Sequence, residues 1–252
     1  MTRSPVDLRS NAVGTWVSVG HPAVVEAASV AGFNLLLIDT EHTSMSLETV
    51  ENLVRTASAA RKPTGVIVRV PSDDPVRIKR VLDIGVDYLM VPMVDTLAEA
   101  EDVVNATRFP PAGVRGVASG RASLYGDRFE AYIDNVDFRT EVIAQIESPM
   151  GVENAASIAA VQGIDGLFVG PADLSKAMGI FADWENPELT SALDDVVEDA
   201  HTAGVPVGTF VTDIRGIDIR TAQGFDYLVI GKDMTSLIRE NRRLRNHYTS
   251  TL

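Results

Sequence analysis

Short apolar runs alternate with stretches of helical periodicity from one end of this chain to the other. The apolar runs read as strands: GTWVSV (14–19), LLLID (35–39), TGVIVRV (64–70), YLMVPM (88–93), EVIAQIE (141–147), GLFVG (166–170), VPVGTF (205–210) and YLVIG (227–231). Between them, apolar residues recur at amphipathic-helix spacing in SLETVENLVRTASAA (46–60), DPVRIKRVLDIG (74–85), TLAEAEDVVNATR (96–108) and PELTSALDDVVEDAHTAG (187–204). The helices tend to end near glycine, and the next strand follows within a few residues, as in AGFN and QGFD. This is the punctuation of βαβ units. Eight such units predict one (β/α)8 TIM barrel spanning residues 1–252. An open doubly wound sheet is the rival fold, but no G-x-G-x-x-G follows the first strand. The one long connection, FPPAGVRGVASGRASLYG (109–126), reads as the loop after the fourth strand and hence as a wall of the active site.

Composition narrows the class. A hydrophobic share of 45% is enough for a packed core and excludes a disordered chain. No apolar run approaches the length of a membrane span. The opening MTRSPVDLRS lacks the apolar core of a signal peptide, so a cytoplasmic protein is expected. The chain has no cysteine, which excludes disulfides, thiolate metal sites and cysteine nucleophiles. With 35 acidic against 22 basic residues, a formal net charge of −13, the surface repels nucleic acid and anionic membranes. Only four of the basic residues are lysines. An acid-rich, lysine-poor surface suits a salt-adapted cytoplasm; an ordinary acidic enzyme fits the composition equally well.

Barrel enzymes carry their chemistry at the C-terminal ends of the strands. Strand two ends in Asp39, with Glu41 and His42 just beyond, and Arg69 stands near the end of strand three. On strand five, Ile143, Gln145 and Glu147 share one face, while Val142, Ala144 and Ile146 share the other. The apolar set suits the layer under the helices, so the polar set faces the barrel interior. A carboxylate and an amide there are costly unless something binds them. Glu147 and Asp173, which follows strand six, together describe a hard-cation site for Mg²⁺ or Mn²⁺, with Co²⁺ a third candidate. The plainer alternative has Asp173 capping the helix LSKAMG and Glu147 pairing with Arg69. Arg69 either neutralises the carboxylates or holds an oxyanion. His42 is either a loop histidine or a general base.

The stretches LLLIDTEHT, VIVRVPSDDPVRIKRVLDIGVDYLMVPMV, RFPPAGVRGVASGRASLYG, AQIESPMGVEN and GIDGLFVGPADLSKAMG span positions 14–180 with short gaps. In them the chain resembles the metal-dependent pyruvate aldolases of the HpcH/HpaI family. The agreement weakens towards the C-terminus. The resemblance implies that Glu147 and Asp173 are the protein ligands of a divalent metal ion. It implies that Gln145 and the Ala172 backbone contact pyruvate, that Arg69 stabilises the enolate and that His42 is the base. Asp83, in VLDIG, would be the carboxylate supporting that base, from a neighbouring subunit in one version of the assignment. Trp16, Asp39 and Glu41 would line the surrounding pocket. The implied reaction is cleavage or formation of a 4-hydroxy-2-ketoacid from a small ketoacid and an aldehyde. The implied assembly is a homohexamer, with the C-terminal helix in SLIRENRRLRNHYTS (236–250) packed on a neighbouring subunit.

One residue departs from the resemblance. Lys232 ends strand eight. A lysine there could form a Schiff base with a ketoacid; the plainer reading makes it a surface residue or one of the C-terminal face. Rival functions are a ketoacid decarboxylase or CoA-ester lyase of the same superfamily, and a non-catalytic barrel that senses a ketoacid. Arg115 and Arg121, in the long loop, either meet the distal end of a substrate or brace the loop.

Overall fold

The structure, a computed structural model, describes residues 6–10, 12–60, 62, 64–134 and 140–251. Eight strands, β1 (Val13–Val17), β2 (Leu35–Asp39), β3 (Gly65–Arg69), β4 (Tyr88–Val91), β5 (Glu141–Ile146), β6 (Gly166–Val169), β7 (Val207–Val211) and β8 (Tyr227–Lys232), pair in chain order. All pairs are parallel, and β8 closes on β1. Period-2 alternation sorts the side chains into two cores. Trp16, Leu35, Leu37, Ile67, Met90, Ile143 and Phe168 fill the interior. Leu36, Ile38, Val66, Val68, Val142, Ala144 and Ile146 pack outward under the helices. Strand five therefore divides as its sequence predicts.

The helices cover the barrel: α1 (Pro22–Val30), α2 (Leu47–Ser58), α3 (Pro75–Ile84), α4 (Leu97–Thr107), α5 (Phe129–Asp134), α6 (Pro149–Glu153), α7 (Ala155–Ala159), α8 (Pro171–Ala177), α9 (Pro187–Ala203), α10 (Ile214–Ala222) and α11 (Asp233–Ser250). Their starts are written in the sequence. Ser46, Asp74 and Asn186 accept backbone N–H groups at the starts of α2, α3 and α9, and Thr96 with Glu99 makes a capping box on α4. Val6, Leu8 and Ala12 join the interior core, and the Tyr88 hydroxyl donates to the Val6 carbonyl. The α11 helix buries none of its residues within the chain. Among the described residues, no helix is long and apolar enough to cross a membrane.

One expectation is corrected. The stretch 109–126 is not the loop after β4; it follows α4 and leads towards β5. A connection from helix to strand lies at the rim where the strands begin, opposite the rim that carries barrel chemistry. The arginines brace this end. Arg121 Nη1 donates to the Ile84 carbonyl at 2.7 Å, and Arg115 Nη2 donates to Asp83 Oδ1 at 2.7 Å and to the Tyr132 hydroxyl at 2.5 Å.

Candidate active site

Register brings the first two charged groups together. In the β2–β3 ladder Asp39 pairs with Arg69, so both side chains stand on the interior face at the same level. Arg69 is 4% exposed and Asp39 1%. Arg69 Nε donates to Asp39 Oδ1 at 3.1 Å, Nη2 stands 2.9 Å from the same oxygen, and Nη1 stands 2.9 Å from Glu41 Oε2. The guanidinium carbon lies 4.6 Å from the centre of the Trp16 ring, and Trp16 Nε1 donates to Asp39 Oδ2 at 3.3 Å. Held by two carboxylates and an aromatic face, Arg69 is a rigid fork. The alternative pairing of Arg69 with Glu147 is not formed.

Asp39 also shapes the loop beyond β2. Its Oδ1 accepts the backbone N–H of Glu41 at 3.1 Å and of His42 at 3.3 Å, and the Thr43 hydroxyl returns to the Asp39 carbonyl at 2.5 Å. This Asx turn leaves the His42 imidazole exposed, with Nε2 3.7 Å from Glu41 Oε1. Glu41 thus links His42 to Arg69. Burial raises the Glu41 carboxyl above its ordinary range, and Arg69 and His42 pull against that rise. Asp83 is not brought to His42 within the chain. It lies one residue before the end of α3, the end directed away from this rim, and pairs with Arg115.

The opposite wall comes from β5 and β6. Gln145 and Glu147 are both buried, and the Gln145 amide nitrogen donates to Glu147 Oε1. Glu147 Oε2 accepts the Met93 N–H at 3.3 Å. Met93 holds a left-handed φ of 55°, a conformation that costs a non-glycine residue about 1–2 kcal/mol. No sequence signal marked that residue. Gly170 was also missed as a determinant. A methyl group there would overlap Glu147 Oε1 and stand 3.0 Å from Gln145 Nε2, so the absent side chain leaves room for the pair. Gly170 is also the N-cap of α8, which begins at Pro171. Asp173 is therefore the third residue of the first turn and not the cap.

Charge in this mouth is unbalanced. Asp39, Glu41, Glu147 and Asp173 interact around one guanidinium, that of Arg69, which is already committed to two of them. Burial pushes the Glu147 carboxyl up to about 8, against the pull of Arg69, and the nearby Asp173 and Glu41 add to the rise. Gln145 Oε1 is buried with no hydrogen-bond partner. A buried carboxylate short of positive charge beside an unmet acceptor fits a divalent cation with its bound oxygens. Among the described residues no group of three or more His, Cys, Asp or Glu side chains is arranged to hold an ion, so substrate and water would complete its shell.

A closed parallel barrel that gathers charged side chains at and beyond its strand ends has the layout of a barrel enzyme. The sequence model of the HpcH/HpaI aldolase/citrate lyase family matches residues 12–240, and the chain belongs to that family. It is 37% identical over 238 residues to a hydroxypyruvate/pyruvate aldolase of Pseudomonas aeruginosa, covering 94% of this chain and 88% of that one. It is 35% identical over 224 residues to a 5-keto-4-deoxy-D-glucarate aldolase of Shigella dysenteriae, covering 88% and 86%. Its fold matches an HpcH/HpaI aldolase/citrate lyase family protein of Burkholderia cenocepacia with a TM-score of 0.90 and 35% identity, covering 96% of this chain and 97% of that one.

Proposed function

We propose that this protein is a divalent-metal-dependent pyruvate aldolase that cleaves and forms 4-hydroxy-2-ketoacids. The observation that carries the proposal is Glu147, a buried carboxyl that forms no ion pair with any described residue, near a rigid Arg69 already held by Asp39 and Glu41. Glu147 and Asp173 would hold the ion, Mg²⁺ or Mn²⁺ in the first instance. When bound, it supplies a Lewis acid for the oxygens of the ketoacid. Gln145 and the Ala172 backbone orient pyruvate. His42 takes the proton from the C4 hydroxyl, the C3–C4 bond breaks, and Arg69 faces the oxygen on which negative charge develops. Addition to an aldehyde runs the same steps backwards. Asp39 and Trp16 keep Arg69 and the His42 loop in position. Asp83 would support the base only from a second subunit, which requires an assembly.

That assembly is part of the proposal: a homo-oligomer, a hexamer by resemblance, with α11 packed on a neighbour. Support comes from the exposed Leu237, Ile238, Leu244 and Tyr248 on a helix that buries nothing at home. Light scattering at micromolar concentration tests it, and a monomer refutes it. The reaction is tested with pyruvate and a panel of aldehydes. EDTA should abolish turnover and Mg²⁺ or Mn²⁺ restore it. EDTA-resistant turnover with borohydride trapping of pyruvate on Lys232 would replace this mechanism with a Schiff base.

A further inference from the structure

The seam where β8 closes on β1 is irregular. Gly14 pairs with Val229, but Trp16 pairs with Lys232, so three steps on β8 match two on β1. Gly231 takes up the extra residue with a φ of 66°, a left-handed conformation that glycine adopts at little cost. The Trp16–Lys232 pair is the last of this ladder. Beyond it, a side chain takes over the seam.

That side chain is Asp233, the first residue of α11. Its Oδ2 accepts the N–H groups of Ser18 and Val19 at 2.7 Å each. Its Oδ1 accepts the Ser18 hydroxyl at 2.5 Å and the Met234 N–H at 2.7 Å. Successive N–H groups of a strand point to opposite sides. Two of them meeting at one oxygen show the chain curling, just past the end of β1, into a nest for the carboxylate. An acidic residue in the first turn also suits the helix dipole, and Lys232 at the N-cap makes no side-chain cap. Yet three of the four hydrogen bonds go to the end of β1 and only one to the helix.

What that end carries is Trp16, two residues before Ser18. Its ring centre lies 4.6 Å from the Arg69 guanidinium carbon and 5.3 Å from the Phe210 ring, which it meets edge-on, and its Nε1 donates to Asp39 Oδ2 at 3.3 Å. Arg69 and Asp39 are the buried ion pair of the mouth. Trp16 braces both, and its own backbone is held at the seam by the Lys232 pairing, by the adjacent Thr15 hydroxyl on the Gly231 carbonyl at 3.3 Å, and by Asp233.

We propose that Asp233 is a positioning residue of the active site: its carboxylate fixes the end of β1 so that the Trp16 indole stays over Arg69 and hydrogen-bonded to Asp39. Asp233 acts through Trp16 and not on the substrate. Its effect on turnover rests on the aldolase reading; its effect on Trp16 does not.

The chain has two tryptophans, so Trp184→Phe leaves Trp16 as the sole reporter in a parent variant. Trp16 is only 8% exposed. In the metal-free protein, Asp233→Ala should move its fluorescence to longer wavelength and raise its quenching by acrylamide. In the metal-loaded enzyme, the same change should lower kcat for aldol cleavage by about 10–10²-fold, the scale of a group displaced by up to about 1 Å. KM for the ketoacid should change little, because Arg69 serves charge that develops in the transition state. Asp233→Asn keeps an oxygen for the Ser18 and Val19 N–H groups and should restore most of both readouts. Asn186→Ala is the control for a merely structural loss. It removes the cap that accepts the Glu188 N–H at the start of α9, and should lower Tm while leaving Trp16 emission and kcat at the parent values. Parent emission and quenching in Asp233→Ala overturn the proposal, as does a shifted emission with parent kcat. If Asp233→Ala does not fold, Ser18→Ala, which deletes only the hydroxyl contact, should show the same changes on a smaller scale, and their absence overturns the proposal equally. A parent enzyme without aldol turnover sinks the aldolase reading alone, since the fluorescence measurement needs neither metal nor substrate.

Discussion

Gly170 allows the proposed metal site to be displaced without touching any of its charged groups. Its backbone lies at φ −89°, ψ 91°, where alanine suffers no left-handed strain. At such a position Gly→Ala ordinarily stabilises a protein by about 0.4–1 kcal/mol. Here the new methyl carbon would stand 2.9 Å from Glu147 Cγ and closer still to Oε1, whereas ordinary contact begins at 3.4 Å. The Glu147 carboxylate must therefore retreat by roughly 1 Å, a misplacement that can cost about 10²-fold in rate. Overpacking typically costs about 1–3 kcal/mol. After the backbone gain, about 1–2 kcal/mol of net loss remains, a fall in Tm of roughly 2–8 °C for a chain of this size. The assay pairs thermal unfolding with Mn²⁺ titration and aldol turnover. Gly170→Ala should remain folded, bind Mn²⁺ more weakly and lose most of its turnover. Gly116→Ala is the control, because no atom lies within 4 Å of its new carbon. Wild-type Mn²⁺ affinity and turnover in Gly170→Ala would refute the placement of the ion at Glu147.

His42→Ala should lower the aldol cleavage rate by about 10²–10⁴-fold while Mn²⁺ affinity holds, and wild-type rates would remove His42 from the role of base. Asp87 tests burial electrostatics away from the site: desolvation raises its pKa from 3.8 to about 6, against the Val66 N–H bond and Arg121. The folded state then binds the extra proton, so this group's contribution to stability falls as pH rises from about 4 to 6. Asp87→Asn should gain up to about 2–3 kcal/mol over the wild type across that window in urea titrations, and a pH-independent difference would contradict the shift. At a formal net charge of −13, molar KCl should raise the unfolding midpoint by screening self-repulsion, whereas a flat or falling midpoint favours an ordinary acidic surface.

Much of this protein is legible in its sequence because the informative patterns are local. Alternation along EVIAQIE separates the residues under the helices from those in the barrel, since a strand repeats every two residues whatever pairs with it. Caps such as Ser46, Asp74 and Thr96 mark helix starts because their hydrogen bonds reach only two or three residues. The gathering of Asp39, Arg69, Gln145, Glu147 and Asp173 at one rim follows from the same logic, each standing at or just beyond a strand end.

What the tertiary structure alone decided are the relations between distant segments. The β2–β3 register gives Arg69 to Asp39 and Glu41, leaving Glu147 with no ion pair among the described residues. The helix read at 96–108 already puts residues 109–126 after it in the sequence; only the structure shows Arg115 reaching Asp83 and Arg121 reaching the Ile84 carbonyl. At the end of β8 the ladder to β1 slips, Gly14 pairing with Val229 but Trp16 with Lys232, and only the neighbouring strand shows that count. Side-chain periodicity belongs to one segment, but register, rim and facing depend on how two segments meet, and the free energy that selects them is spread over the whole closed barrel.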